Sequence, residues 1–161
     1  MVVRSSGKLE LRFARSSDID LIYPYLRDND VEECQLHNID PREVFQSALY
    51  DKESVTYTIA VEDVPIAMLG VCDCKYEKSC GVVWMLGTHG IDKYRISFLK
   101  GCKGVIKLLQ GDYKKIYNYV PKHHLETINW LEWCGFQIED KKYAIEDNIF
   151  FKFFRCNNIN L

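Results

Sequence analysis

Residues 116–136 constrain this chain more than any other part of it. Ile116, Asn118 and Val120 alternate with Tyr117 and Tyr119, a period of two in residues that suit a pleated surface, so a strand is expected there. Pro121 stops that strand. Leu125, Ile128, Leu131 and Cys134 then recur at helical spacing, which puts an apolar stripe on a helix. Gly135 stands where a helix exit needs a residue that tolerates positive φ, and Phe136 follows, placed to pack back onto the helix.

The rest of the chain supplies partners for this unit. Leu9, Leu11 and Phe13 predict a first strand, ended by Arg15-Ser16-Ser17-Asp18, where Ser17 or Asp18 can cap a helix. That helix runs through Ile19, Ile22 and Leu26, with Pro24 leaving its length open. Asp40-Pro41 opens a second helix, with Val44, Phe45 and Ala48 on its apolar face. Val55, Tyr57, Ile59 and Val61 alternate as a strand, residues 62–65 turn the chain, and residues 66–71 are a continuous apolar run, so a hairpin is expected. A further turn leads to a largely buried strand at 81–86. Ile96, Leu99, Cys102, Ile106 and Leu109 predict an amphipathic helix in spite of Gly101 and Gly104. That helix crosses from strand 82–86 to strand 116–120, and a right-handed crossover makes these two strands parallel. Two strands near 137–145 and 149–154 close an α/β order.

With 161 residues the chain is expected to be one domain, 1–161, with loose tails at 1–8 and 156–161. A formal charge of −2 argues against a broadly basic surface that coats nucleic acid. No run approaches the roughly 18 to 20 apolar residues of a membrane span, and the first residues lack the apolar core of a signal peptide, so residence in the cytosol is the default expectation. Seven cysteines at irregular spacing read as reduced, mostly buried thiols.

The strand-loop-helix-Gly-Phe unit resembles the last block of the GNAT acyltransferase fold, in which a splayed strand beside it admits the acyl-CoA arm. Adding Val82-Val83-Trp84-Met85-Leu86-Gly87-Thr88, the helix containing Phe98-Leu99-Lys100, Asn118-Tyr119-Val120 and Trp130-Leu131-Glu132-Trp133-Cys134-Gly135-Phe136 sharpens this. Together they resemble the GNAT-like internal virion protein A family of short-tailed bacteriophages. The resemblance implies a single GNAT-like domain of class α/β, with a mixed central sheet of about six to seven strands, within the ordinary range, and helices on both faces. It implies a virion or infection-associated phage protein with reduced or absent catalysis. The alternative is an active acetyl-CoA-dependent N-acetyltransferase acting on a protein or small-molecule amine. The implied partners are other virion proteins or a host protein, with self-association, and the implied location is the host cytoplasm or the virion.

In that architecture backbone N–H groups after the central strand cradle the pyrophosphate of acetyl-CoA. The corresponding residues are Met85, Leu86, Gly87, Thr88 and Gly90, with Asn118 on the neighbouring strand. The family's Gln or Arg, two residues, Gly, one residue, Gly or Ala is not present, and Asp92 adds negative charge, which puts cofactor binding in doubt; Gly87 and Gly90 equally suit a turn and a helix entry. The resemblance sets His124 where an asparagine commonly opens the last helix, and Leu131 where a tyrosine often serves as general acid. His124 can act as acid or base near neutrality, or simply flank the helix. The resemblance implies a carboxylate that deprotonates the amine, and the candidates are Glu32, Glu33, Asp73 and Glu77: Asp30-Val31-Glu32-Glu33 follows the first helix where it can line the acceptor mouth, Asp73 stands at the end of an apolar strand, and each equally suits a solvated surface. Cys72, Cys74, Cys80 and His89 can be drawn as a zinc site, but a single Cys-x-Cys is a weak signal and no metal is expected. Trp130, Trp133, Tyr117 and Tyr119 lack basic interleaving and read as packing residues. The Phe-rich end of the chain, apolar on both faces, suggests that one face meets a partner subunit.

Overall fold

The computed structural model describes residues 1–157; of the tail expected at 156–161, residues 158–161 lie outside the described residues. In chain order the elements are β1 (Val2–Ser6), β2 (Leu9–Phe13), α1 (Ser16–Ile22), α2 (Asp28–Leu36), α3 (Pro41–Tyr50), β3 (Val55–Val61), β4 (Val64–Asp73), β5 (Cys80–Gly87), α4 (Gly90–Lys93), α5 (Arg95–Gln110), β6 (Lys115–Pro121), α6 (Leu125–Trp133), β7 (Gln137–Ile145) and β8 (Asn148–Cys156). The strands form one eight-stranded sheet in the order β1-β2-β3-β4-β5-β6-β8-β7. Every pair is antiparallel except β5 with β6, the pair joined by the α4–α5 crossover.

Alternation along the strands sends side chains to two cores. On one face Ile19 and Ile22 of α1 and Phe45 of α3 pack with Met68 and Leu86. On the other, Cys102, Ile106 and Leu109 of α5 and Ile128 and Leu131 of α6 pack with Leu69, Val83, Ile116 and Val120. Helices therefore cover both faces, as the α/β reading expects. The α6 exit follows its sequence signature: Gly135 sits at φ 100°, its N–H bonds to the Glu132 carbonyl, and the Phe136 N–H bonds to the Leu131 carbonyl. Asp40 caps α3 by accepting from the Arg42 N–H at 2.7 Å, with Pro41 in the first turn.

Four features differ from the sequence reading. Residues 2–6 are a strand rather than a loose tail, and Gly101 and Gly104 of α5 explain how it docks. A Cβ on Gly101 would lie 3.2 Å from the Ser6 Cβ, and one on Gly104 would lie 2.5 Å from the Arg4 guanidinium, so the missing side chains let β1 approach the helix. Cys156 is the last residue of β8, and the Asn157 N–H bonds to the Lys114 carbonyl, so the ordered chain runs past the point where a tail was expected. α2 forms over Asp28–Leu36, to which the sequence reading assigned no element. α1 stops at Ile22 and a short 3-10 turn, Tyr23–Tyr25, carries Pro24, which has no N–H to continue the helix. β8 is a central strand between β6 and β7, and its two apolar faces are each covered from within the chain, Phe150 by the His37 ring and Phe153 by Phe136.

The start of α1 is tied to the sheet by a buried ion pair. The Arg12 guanidinium donates to both Asp18 oxygens at 2.8 Å, and the Thr58 hydroxyl and the Arg15 N–H donate to the same carboxylate. Burial alone would raise the Asp18 pKa; these donors more than offset it and hold the pKa below the ordinary carboxylate value. A depressed folded pKa contributes stability above the unfolded value of about 3.9, lost as pH falls through the lower folded value. Asp18→Asn is therefore expected to cost about 3 kcal/mol at neutral pH by leaving the buried Arg12 without its two-oxygen partner, with only the exposed Asp63 carboxylate, 3.1 Å from its Nε, still paired to it, and to flatten the acid limb of stability against pH in urea titrations.

Candidate active site

β5 and β6 pair over three residues only: Cys80 with Lys115, Gly81 with Ile116 and Val82 with Tyr117. Beyond that point each strand follows its other neighbour. β5 stays in register with β4 up to Gly87 opposite Ala67, and β6 with β8 up to Pro121 opposite Phe150. Two twisting antiparallel ladders carry the strands apart, and a fork opens at their C-terminal ends. The last tie across it is a side chain. The Asn118 amide donates to the Val83 carbonyl at 2.6 Å, while its oxygen accepts from the Tyr119 N–H at 2.8 Å. On the α5 side of the fork lies a cavity of about 250 Å³, lined among others by Val83, Met85, Phe98, Cys102, Trp130 and Leu131. Phe98 and Trp130 stack there with ring centres 5.8 Å apart, and the buried Trp130 Nε1 has no hydrogen-bond partner among the described residues.

α2 crosses the mouth of the fork. At its first turn Asp30 accepts from the Gly87 N–H at 2.9 Å and from the Arg27 guanidinium at 3.0 and 3.1 Å, and the Arg27 N–H bonds to the Gly87 carbonyl. Burial raises the Asp30 pKa against the pull of Arg27 and the Gly87 amide. Just beyond the helix's end the His37 ring packs on Phe150 of β8 at 4.7 Å. Between these anchors stand Glu32 and Glu33. Glu32 lies 2.5 Å from His123 and 3.6 Å from His124, both in the β6–α6 connection. Glu33 is half-buried, and its pKa is pushed up to about 7, first by burial and then by the Asp30 charge, with Arg27 opposing.

The structure thus brings three of the sequence candidates, His124, Met85 and Asn118, to one fork, and sets a fourth, Glu33, on the helix across its mouth beside Asp30 and Arg27. The remaining ones are engaged elsewhere. Leu86 points into the α1–α3 core. The Gly87 N–H is held by Asp30; the N–H and hydroxyl of Thr88 both go to the Ile66 carbonyl; and the Gly90 N–H goes to the Thr88 hydroxyl. A Cβ on Gly87 would lie 2.3 Å from Ile91, so this glycine serves close packing. Asp73 sits opposite Gly81, six residues down β5 from Gly87, or about 20 Å at the rise of a strand, and accepts from the Tyr113 hydroxyl. Glu77 pairs with Lys115 at the same far end. Cys72, Cys74 and Cys80 lie there too, whereas His89 is beyond the other end of β5 beside Asp92, so the drawn zinc set does not converge. Sequence reasoning set Asp30 in a stretch beside the acceptor mouth but did not single it out as the anchor of α2 to the Gly87 amide. The available signal was an Arg27–Asp30 pair at helical i, i+3 spacing.

No family model and no curated protein sequence matches this chain. Solved structures do match its fold. A RimL ribosomal L7/L12 alpha-N-protein acetyltransferase in complex with coenzyme A superposes with a TM-score of 0.69 at 10% identity, covering 97% of this chain and 98% of its own. A GCN5-related N-acetyltransferase from Kribbella flavida gives 0.69 at 13% identity over 93% and 98%. A chimera of the spermidine N-acetyltransferase SpeG from Vibrio cholerae and hSSAT gives 0.62 at 14% identity over 93% and 96%. The chain therefore has the GNAT fold, with one strand more than the sequence reading expected. Among the described residues no helix is long and apolar enough to cross a membrane.

If Asp30 fastens α2 across the fork, Asp30→Ala leaves the Gly87 N–H and Arg27 without their acceptor. A loss of about 2 to 3 kcal/mol is expected. Amide hydrogen exchange should then speed up at Gly87 and through α2 while β3 and β4 keep their protection.

Proposed function

We propose that the protein is an N-acyltransferase that moves an acyl group from an acyl-coenzyme A to an amine, with Glu33 as the general base. The observation that supports this most is the fork between β5 and β6, with a half-buried carboxyl of pKa about 7 on the helix across its mouth. The residues present fit an acyl-CoA. The apolar cavity beside Val83 and Met85, walled by Phe98 and Trp130, suits a pantetheine arm. α5, 16 residues long, opens at Arg95 after a break at Tyr94, and its N-terminus with Lys93 and Arg95 suits a pyrophosphate.

Bound acyl-CoA would supply the acyl carbon activated as a thioester. The protein's part is to hold an amine at the mouth and take its proton. Glu33, whose pKa burial pushes up to about 7, accepts that proton on a carboxylate oxygen as the nitrogen attacks. Leu131 is buried against the cavity and offers no proton, so the departing sulfur draws its proton from another source.

Leu131 also favours a second reading, in which the fold persists with reduced catalysis. Here the resemblance to internal virion proteins applies. The protein would then act through virion or host partners or by self-association, in the host cytoplasm or packaged in the particle.

Calorimetric titration with acetyl-CoA is expected to give a Kd below about 100 μM. Glu33→Gln should lower kcat with an acceptor amine by about 100-fold or more. A carboxyl whose folded pKa is raised loses stability as pH rises from the unfolded value of about 4.3 to the folded value of about 7 and carries the full cost above it, so this variant should melt no lower than the parent at about pH 8. In the parent, kcat/KM should fall as pH drops below about 7. Absence of both acetyl-CoA binding and turnover over a panel of amines would sink the enzyme reading, and detection of the protein in purified phage particles would then carry the second.

A further inference from the structure

Glu32, His123 and His124 meet at the mouth of the fork although 91 residues separate Glu32 from His123. One ligand atom from each lies within 4.8 Å of the other two. The His123 and His124 rings stand nearly perpendicular, 78° apart, with centres 4.5 Å from each other. Backbone bonds pin them: the His124 N–H bonds to the Pro121 carbonyl, the Leu125 N–H to the His123 carbonyl and the Ile128 N–H to the His124 carbonyl.

His124 is 6% exposed, and its Nε2 has no hydrogen-bond partner among the described residues. It faces Glu32 Oε2 at 3.6 Å, beyond hydrogen-bond reach. A buried ring nitrogen left without a partner costs roughly 1 to 3 kcal/mol, so such a group calls for a ligand that completes it. A cation between the three side chains would complete it and satisfy the other two as well.

We propose that Glu32, His123 and His124 bind a divalent transition cation of the zinc class, leaving a coordination position open to water. Two imidazoles and one carboxylate suit Zn²⁺, Ni²⁺, Co²⁺ or Cu²⁺, whereas Mg²⁺ and Ca²⁺ take oxygen ligands. With bonds of about 2.0 to 2.1 Å in a tetrahedral arrangement, neighbouring ligand atoms stand about 3.3 Å apart. The Glu32–His124 separation of 3.6 Å is already close to this, and the Glu32–His123 separation of 2.5 Å has to open by less than an ångström. Both groups that must move are solvent-accessible, His123 at 59% and Glu32 at 43%, while the buried His124 is the fixed ligand. The inference rests on this cluster and not on acyl transfer.

The test is calorimetric titration of the full chain with Zn²⁺ and Co²⁺ under a non-thiol reductant, comparing the parent with Glu32→Gln and with His123→Ala, both at accessible positions that leave the core intact. One ion per chain is expected for the parent, with micromolar or tighter affinity, and each substitution should weaken it by about 100-fold or more. The Co²⁺ complex should show the visible bands of a tetrahedral site without thiolate charge transfer, which separates it from ligation by the exposed Cys156 or by Cys74. No binding by the parent, unchanged binding in both variants, or a thiolate spectrum would each overturn the proposal.

Discussion

The three-residue parallel pairing of β5 with β6 is the constraint on which the rest of the structure depends. A parallel pair needs a crossover, so α4 and α5 must lie between the two strands in sequence and on one face of the sheet in space. Because β5 is held over its length by β4 and β6 by β8, their common ladder is the weakest joint in the sheet. It yields where the accumulated twist requires. The resulting gap puts the edges of two central strands beside a cavity in the middle of the domain, a place where edges are ordinarily hidden. Asn118 limits the opening by giving β5 one side-chain bond in place of the backbone ladder.

α2 is a helix of an unusual kind for this position. Its buried residues are Asp30 and Cys34, so it does not dock by an apolar stripe. Instead it is held by hydrogen bonds, Asp30 to the Gly87 amide and Arg27 to the Gly87 carbonyl, and by the ring of His37, which caps its end and packs on Phe150. Such anchoring leaves Asp30 and Glu33 poorly solvated, and burial pushes the Glu33 pKa up to about 7. The same crossing carries Glu32 to the two histidines that open α6. Polar docking thus concentrates ionisable groups at the mouth, whereas the remainder of the sheet is covered by ordinary apolar helices.

Elements with strong periodicity were legible in the sequence. α3, α5 and α6 and seven of the strands were readable because each buries one stripe or one face, and Gly135, Pro41 and Asp40 mark their ends through local backbone chemistry. β1 and α2 were not, for opposite reasons. β1 has little apolar alternation and is held by the close approach that Gly101 and Gly104 allow, a signal that sits about a hundred residues away in the chain. α2 has the composition of a solvated turn. Leu125 and Ile96 fit their helical stripes by spacing, yet they are 67% and 71% exposed, because spacing fixes a direction and not what lies in it.

The sequence by itself determined the order of elements, the parallel central pair and the Gly-Phe helix exit, since each follows from local periodicity, backbone limits at glycine and proline, and the handedness of crossovers. The tertiary structure alone decided which polar groups meet. Asp30 with Gly87, Glu32 with His123 and His124, and Asn118 with Val83 are pairs whose separation along the chain exceeds any local pattern, apart in sequence by 57, 91 and 35 residues. It also parted Asp73 and Glu77 from Glu32 and Glu33, since Asp73 ends β4 opposite Gly81 whereas α2 is held at the other end of β5 by the Gly87 amide. Chemistry needs convergence in three dimensions, and convergence is a property of the packed sheet rather than of the sequence read along its length.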